Sequence, residues 1–310
     1  MNDFVIIPDS GCDLTTELRE KFGIDDILAG IIYFPDGHQD YADIDWKKMS
    51  PQEYYGSMKG RTVLYKTAYP PAGDTMAKFE HYLKQGKDVL SLSLSSGVSG
   101  TYQTACLVAK ELMEKYPERK VICVDTLRYS GAFSLLVMKA AEKRAEGAGI
   151  EETAEYINEI KNCVHQIGPL DDLFFCAKTG RINNFQAFFG GLVGVLPMAD
   201  FNEKGLSEVI IKVKGKRTAY NTAISYVKDR IEDGENQTLF ISHSDRKEEA
   251  LRFAEMIKAE INPKEIIIND VGMSCGSSIG PGLCAVYFIG KKISKDLAEE
   301  KEIIKSITMK

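Results

Sequence analysis

Histidine is scarce in this 310-residue chain, basic charge is in deficit, and no hydrophobic run is long. The four histidines, at positions 38, 81, 165 and 243, show no metal-ligand spacing and no HExxH occurs, so no metal site is expected. No GxxxxGK[ST] is present, nor a GxGxxG after a strand, which removes the enzyme classes that hold nucleoside phosphates or dinucleotides through those loops. Lys and Arg number 39 against 45 Asp and Glu, a formal charge of −6, and the densest basic stretch is only Lys212, Lys214, Lys216 and Arg217. A protein that gains affinity by neutralising phosphates carries more, so nucleic acid is not expected as a partner. The seven cysteines (12, 106, 123, 163, 176, 275, 284) are odd in number and form no CxxC pair, which indicates reduced thiols in a cytosol rather than a zinc site or a disulfide framework.

The longest apolar tract, Phe185 to Phe201, is broken by three glycines and a proline. It falls short of the ~20 residues that span a bilayer. The start, MNDFVIIPDSGCDL, lacks the basic lead and apolar core of a signal peptide. A soluble, cytoplasmic protein that is not integral to a membrane is expected. With 44% hydrophobic and 27% charged residues the chain reads as globular, and its length suggests two domains.

The first half alternates strand-like and helix-like segments. Phe4–Ile7, Leu28–Phe34, Val89–Leu94 and Val121–Val124 are apolar runs, while Thr75–Leu83, Ser99–Tyr116, Ser130–Glu146 and Glu151–Val164 have helical spacing. Such alternation predicts a mainly parallel sheet flanked by helices. A boundary is expected near Gly168-Pro169, giving an N-terminal α/β domain over 1–167 and a second over 168–310. In the second, Leu206–Val213, Thr238–Ser242, Ile266–Asn269 and Ala285–Ile289 read as strands, and Thr218–Ile231 and Lys247–Ile261 as helices.

Gly272-Met273-Ser274-Cys275-Gly276 matches GxSxG literally, but no histidine follows Ser274 and the glycines and Pro281 beyond it argue against the helix a nucleophile elbow requires. In Ser242-His243-Ser244-Asp245, neighbours on an extended chain point to alternating sides and form no relay, so a loop histidine or helix cap is the simpler reading. The informative segment is Ser95-Ser96-Gly97-Val98-Ser99-Gly100-Thr101, set between an apolar strand and a helix. Glycines permit close approach, a helix start offers free N–H groups, and hydroxyls donate to an oxygen, which together suit a carboxylate or phosphate. One serine as a helix cap is the plainer alternative, yet a cap needs one hydroxyl and four are present in seven residues. Asp9-Ser10 and Asp125-Thr126 end two other strands and would share a crevice with Ser95 and Ser96 if the sheet is parallel. Asp13 and Asp125 read equally as capping or turn residues. Thr67 precedes a stiff Pro70-Pro71 turn, Arg181 either pairs with an anion or covers a surface, and Phe185–Pro197 offers apolar walls or core packing.

The segments DSGCDL (9–14), KTAYP (66–70), SSGVSGTYQ (95–103), VDT (124–126), KTGRI (178–182), KGKR (214–217) and GPG (280–282) occur in an order that resembles the DegV family, the fatty-acid-binding subunits of bacterial fatty acid kinase. The likeness runs over nearly the whole chain, and SSGVSGTYQ is its most specific part. It implies the two-domain α/β DegV-like (EDD) fold with a long-chain fatty acid held between the domains and no cofactor. It also implies a protein that is not itself an enzyme and that presents the acid to a kinase, which makes acyl phosphate from ATP. By position, Thr67, Ser95 and Ser96 would hold the carboxylate, with Arg181 supporting them and Ser278 at the place of a family histidine, while Arg217 would face the kinase or its phosphate.

Three positions depart from the family's pattern: Thr67-Ala68 stands for its usual TS, Thr179-Gly180 for GG, and Ser278 for the histidine two residues before GPG. Serine donates a hydrogen bond as histidine does, but brings no charge. Burial of ~400 Å² of acyl surface is worth on the order of 10 kcal/mol before ordering costs, so the tail would supply affinity and the hydroxyls orientation. The alternative from another class is a stand-alone enzyme acting on a small anionic metabolite in the interdomain cleft.

Overall fold

The computed structural model describes residues 3–171, 173–183 and 194–309. In chain order its first elements are β1 (Phe4–Pro8), α1 (Thr16–Phe22), β2 (Ile31–Tyr33), β3 (Gln39–Tyr41), α2 (Pro51–Met58), β4 (Lys66–Ala68), α3 (Ala72–Lys84), β5 (Asp88–Ser93), α4 (Thr101–Lys115), β6 (Val121–Asp125), α5 (Gly131–Ala145) and α6 (Ile150–Ile160). They are followed by β7 (Val164–Ile167), α7 (Phe174–Thr179), β8 (Ile182–Asn183), β9 (Val195–Phe201), β10 (Ser207–Lys214), α8 (Lys216–Arg230), β11 (Thr238–His243), α9 (Lys247–Glu260), β12 (Glu265–Asp270), α10 (Met273–Ile279), β13 (Cys284–Ile289) and α11 (Ala298–Thr308). The chain divides into two compact units, one of Met1–Lys47, Tyr65–Lys161 and Gly272–Ser274, the other of Lys48–Leu64, Asn162–Val271 and Cys275–Lys310.

The first unit is built on the parallel sheet β1-β5-β6 expected from the alternation of strand and helix. All residues of β1 and β5 are buried, as parallel strands covered on both faces require. Val5, Ile7, Val89 and Val121 pack with Phe79 and Leu83 of α3 and Ala105, Val108 and Leu112 of α4 in one core. A small antiparallel sheet, β3-β2-β4, lies in the same unit. Of the apolar run Leu28–Phe34 only Ile31–Tyr33 becomes strand, and Leu28 forms a lone bridge to Asp9.

The second unit has a mixed sheet, β12-β11-β13-β7, in which β11 and β12 are parallel and the other pairs antiparallel. Its centre is Leu239, Phe240, Ile241, Val286, Tyr287 and Phe288, all buried. The helix expected over Glu151–Val164 ends at Ile160. A single 3-10 turn follows, and Val164–Ile167 then pairs with β13 as a largely buried strand. Buried His165 is fixed there by Asp200, 2.6 Å from its Nδ1, and by the Lys291 carbonyl, 2.7 Å from its Nε2; the Tyr226 hydroxyl donates to the same carboxylate at 2.7 Å. The sheet β8-β10-β9 adds a hairpin, and buried Arg230 of α8 donates to Glu300 of α11 at 2.7 Å, which ties down the last helix. No helix among the described residues is long and apolar enough to cross a membrane.

Candidate functional site

Because β1, β5 and β6 run parallel, their carboxyl ends lie together and bring Asp9-Ser10, Ser95-Ser96 and Asp125-Thr126 to one edge of the sheet. Hydrogen bonds join these ends. Asp9 Oδ2 accepts from the Leu94 amide at 2.8 Å, and Asp125 Oδ1 accepts from the amides of Ser96 and Leu127, both at 3.1 Å. The Thr126 hydroxyl donates to the Ser93 carbonyl at 2.8 Å. Asp125 is thus a turn residue. Asp13 likewise braces the chain, accepting from the Gly272 amide at 2.9 Å and from the Ser130 hydroxyl.

Asp9 is 2% exposed, and burial pushes its carboxyl up to about 7 against the amide donors Leu94 and Gly11. Gly11 is needed beside it, since an added Cβ would stand 2.8 Å from Asp9 Oδ1 and 2.9 Å from the Leu94 side chain.

Within the loop from Ser95 to Thr101, most hydroxyls are spent on the loop itself. Ser95 is fully buried; its Oγ accepts from the Gly97 amide at 3.1 Å, and its carbonyl accepts from the amides of Val98 and Ser99. Ser99 Oγ accepts from the Thr101 amide at 3.3 Å and lies 2.9 Å from Thr101 Oγ1, so Ser99 is spent on the first residue of α4, whose N-cap is Gly100 with no side-chain cap. Ser96 is half-buried, and its hydroxyl has no partner among the described residues. The same holds for Thr67 on β4, whose backbone is paired with Ile32 of β2. The two segments adjoin: a Cβ added at Gly100 would sit 3.3 Å from the Tyr69 ring, and one at Gly30 would sit 2.7 Å from the Ala68 carbonyl and 3.3 Å from Ser10 Oγ.

Ser274 joins this cluster unannounced. Its Oγ is 2.8 Å from Ser10 Oγ, which also accepts from the Gly30 amide at 2.9 Å. Here the expectation from the glycines was wrong: a helix, α10, does follow β12, and only at Gly280 (φ 77°), just before Pro281, does it stop. The GxSxG serine therefore stands in the first turn of the helix that follows a strand but meets a serine of the β1 end. His243 also differs from its reading as a loop residue. It ends β11, buried, with Nδ1 3.2 Å from Asp270 Oδ1, and burial lowers its pKa to about 4.

The second unit carries the other expected residues. Arg181 is exposed after the C-terminal glycine of α7 and donates to the Thr179 carbonyl. Ser278 is half-buried on α10 without a hydroxyl partner among the described residues. Arg217, in the first turn of α8, is exposed and unpaired among them. Of the apolar tract Phe185–Pro197, residues 185–193 lie outside the described residues, and Val195, Leu196 and Pro197 belong to β9.

Residues 3–291 match the family described as uncharacterised proteins of the DegV family. The chain belongs to the DegV family. A DegV domain-containing protein of Clostridium perfringens is 32% identical over 94% of this chain and 98% of its own length. DegV of Bacillus subtilis, described as a fatty acid binding protein, superposes with a TM-score of 0.79 at 25% identity, covering 94% of this chain and 100% of that one. The fatty acid kinase (Fak) B3 protein of Streptococcus pneumoniae, solved loaded with linoleic acid, matches with a TM-score of 0.78 at 19% identity over 93% of this chain and 100% of that one. The DegV fold is therefore shared along nearly the whole length. Within it, sequence reasoning found the strand-end hydroxyls but singled out Ser274 only to set it aside, without its contact to Ser10, and missed the buried state of Asp9. A carboxylate ending an all-apolar run was the available signal for Asp9.

Proposed function

We propose that this DegV-family chain binds a long-chain fatty acid and presents its carboxylate to a separate kinase, which transfers phosphate from ATP to form an acyl phosphate. The observation that carries the reading is the pair of half-buried, unpartnered hydroxyls of Thr67 and Ser96, set where neighbouring polar groups of the loop are already satisfied. Donors left open in that way suit an acceptor from outside the chain. Fatty acid binding by related proteins supports the choice of a carboxylate with an apolar tail. Ser95 shapes the loop and orients Ser96; by motif position alone the reading assigns Arg181 and Ser278 to the headgroup and exposed Arg217 to the kinase or its phosphate. The chain contributes no nucleophile and no general base, so phosphotransfer is the kinase's work.

A denaturing organic extract of the purified protein, analysed by mass spectrometry against a blank and an unrelated protein, is expected to contain a near-stoichiometric long-chain fatty acid. An empty extract, with no uptake of added acids, would turn the reading toward a small anionic metabolite. Each hydrogen bond to a charged group is worth about 1.5–3 kcal/mol, so Thr67→Ala combined with Ser96→Ala should weaken fatty-acid binding at least about tenfold in a fluorescence displacement titration. Unchanged affinity would remove both residues from the headgroup site.

A further inference from the structure

The turn that leads from β6 to α5 is strained. Leu127 and Ser130 hold φ at 53° and 55°, in the left-handed region that glycine adopts freely and leucine only at a cost. Strain of this kind persists where surrounding bonds over-determine it, and it gathers at sites that hold a ligand. Here four hydrogen bonds join the turn to the end of β5 and the start of the hydroxyl loop. The Thr126 amide and hydroxyl donate to the Ser93 carbonyl at 3.1 and 2.8 Å, the Ser95 amide donates to the Arg128 carbonyl at 2.9 Å, and the Ser96 amide donates to Asp125 Oδ1 at 3.1 Å.

Of these acceptors only Asp125 Oδ1 belongs to a side chain. Asp125 pairs with Ser93 in the register of β5 and β6, so its carboxylate stands beside the chain as it leaves the strand. Oδ1 accepts from the Leu127 amide as well as from that of Ser96, both at 3.1 Å, and so ties the strained residue to the serine. Oδ2 has no hydrogen-bond partner among the described residues, and Lys161 Nζ donates at 2.9 Å to the Asp125 carbonyl rather than to the carboxylate. The peptide unit between Ser95 and Ser96 is thereby held at both ends. Its oxygen accepts from the Val98 and Ser99 amides at 3.1 and 3.2 Å, and its N–H is aimed at Asp125. A rigid peptide plane fixed in this way leaves the Ser96 hydroxyl little more than its choice among staggered χ1 positions.

We propose that Asp125 is a positioning residue for the fatty-acid headgroup: through one carboxylate oxygen it couples the strained turn to Ser96 and sets the direction in which the Ser96 hydroxyl donates. The inference rests on the fatty-acid reading proposed for this chain. Asp125 itself does not touch the ligand, because a second anion beside an anionic headgroup repels it. The role therefore needs the acceptor oxygen and not the charge.

The test compares oleic acid with oleyl alcohol, which differ in charge at the head, as ligands of the full-length protein stripped of lipid. Asp125→Ala should weaken oleic acid about tenfold, no more than Ser96→Ala does, and oleyl alcohol at most about threefold, a hydrogen bond to a neutral head being the weaker. Asp125→Asn keeps the acceptor and loses the charge, so it should bind oleic acid as tightly as wild type or more tightly. On a Ser96→Ala background, Asp125→Ala should cost no more than about twofold, since the two residues act through one contact. Should Asp125→Ala not fold, Asp125→Gln, whose oxygen lies one bond further out, is expected to give the same selective loss. Wild-type oleic acid affinity in Asp125→Ala or Asp125→Gln, equal losses for acid and alcohol, a loss in Asp125→Asn as large as in Asp125→Ala, or full additivity with Ser96→Ala would overturn this proposal and leave the fatty-acid reading in place. Wild-type protein that binds neither probe would remove that reading and this inference with it.

Discussion

Asp9 shows how a single buried carboxyl shapes the edge of the sheet on which the proposed headgroup site is built. Its two oxygens accept from the Gly11 and Leu94 amides, at 2.7 and 2.8 Å, which fixes the turn after β1 and the chain that leads into Ser95. Burial nevertheless raises its pKa from 3.8 to about 7, so desolvation outweighs the donors. The sign follows from linkage. An acid whose folded pKa lies above its unfolded value contributes stability in full below about pH 4, and that stability is lost as pH rises to about 7. A tenfold change in acidity between the folded and unfolded chain corresponds to about 1.4 kcal/mol, so the loss amounts to a few kcal/mol. Asp9→Asn removes the charge at every pH. The difference in urea-unfolding free energy, variant minus wild type, is therefore expected to grow from pH 4 to pH 7 and to stay level above. A difference independent of pH would mean that Asp9 ionises as an ordinary carboxylate.

At the scale of elements, glycine separates packing from propensity. An added Cβ at Gly168, just past β7, would stand 2.1 Å from the Cys284 carbonyl oxygen and 2.5 Å from Ala285 Cα, so β7 approaches β13 as closely as it does only without a side chain there. Gly168→Ala is expected to lower the unfolding free energy by about 1–3 kcal/mol or more, because rigid backbone rather than a mobile side-chain tip must yield. At Gly56, inside α2, an added Cβ meets nothing within 4 Å. Gly56→Ala should instead stabilise by up to about 1 kcal/mol, the helix-propensity difference. Opposite shifts of the urea midpoint would confirm both assignments, and a neutral Gly168→Ala would show that β7 and β13 tolerate separation.

These same elements explain what was legible in the sequence. Long periodic segments such as α4, α5, α8 and α9 were readable because an apolar face repeats over three or more turns, and β1, β5 and β6 because buried parallel strands are uninterrupted apolar runs. The elements of three to eight residues, β3, β4, α2 and α10, have too few turns or alternations to show a period. For α2 a readable sign did exist: Ser50 accepts from the Glu53 amide and Glu53 accepts in return, with Pro51 in the first turn, a capping box spelled S-P-Q-E. The site divides in the same way. The hydroxyl loop stood out because four hydroxyls crowd between a strand and a helix. The Ser10–Ser274 contact joins residues 264 positions apart, and local pattern carries no trace of such pairings.

For the whole molecule, charge separates ligand binding from partner recognition. The chain carries a formal charge of −6, yet Lys212, Lys214, Lys216 and Arg217 gather on the end of β10 and the start of α8. Lys216 is engaged by Glu249, whereas Arg217 is exposed and unpaired among the described residues. A local positive feature on an acidic molecule steers one face toward an anionic partner, and exposed charges at the rim of a contact govern encounter more than they govern holding. Under the proposed function, Arg217→Ala should leave fatty-acid affinity within about twofold of wild type. It should reduce acyl-phosphate formation with the cognate kinase about tenfold or more at limiting kinase, the magnitude of one well-placed charge–charge contact. The wild-type rate should also fall as salt is raised, and the variant's should fall less steeply. Lost fatty-acid affinity in Arg217→Ala would assign the arginine to the ligand, and an unchanged phosphotransfer rate would place the kinase contact elsewhere on the molecule.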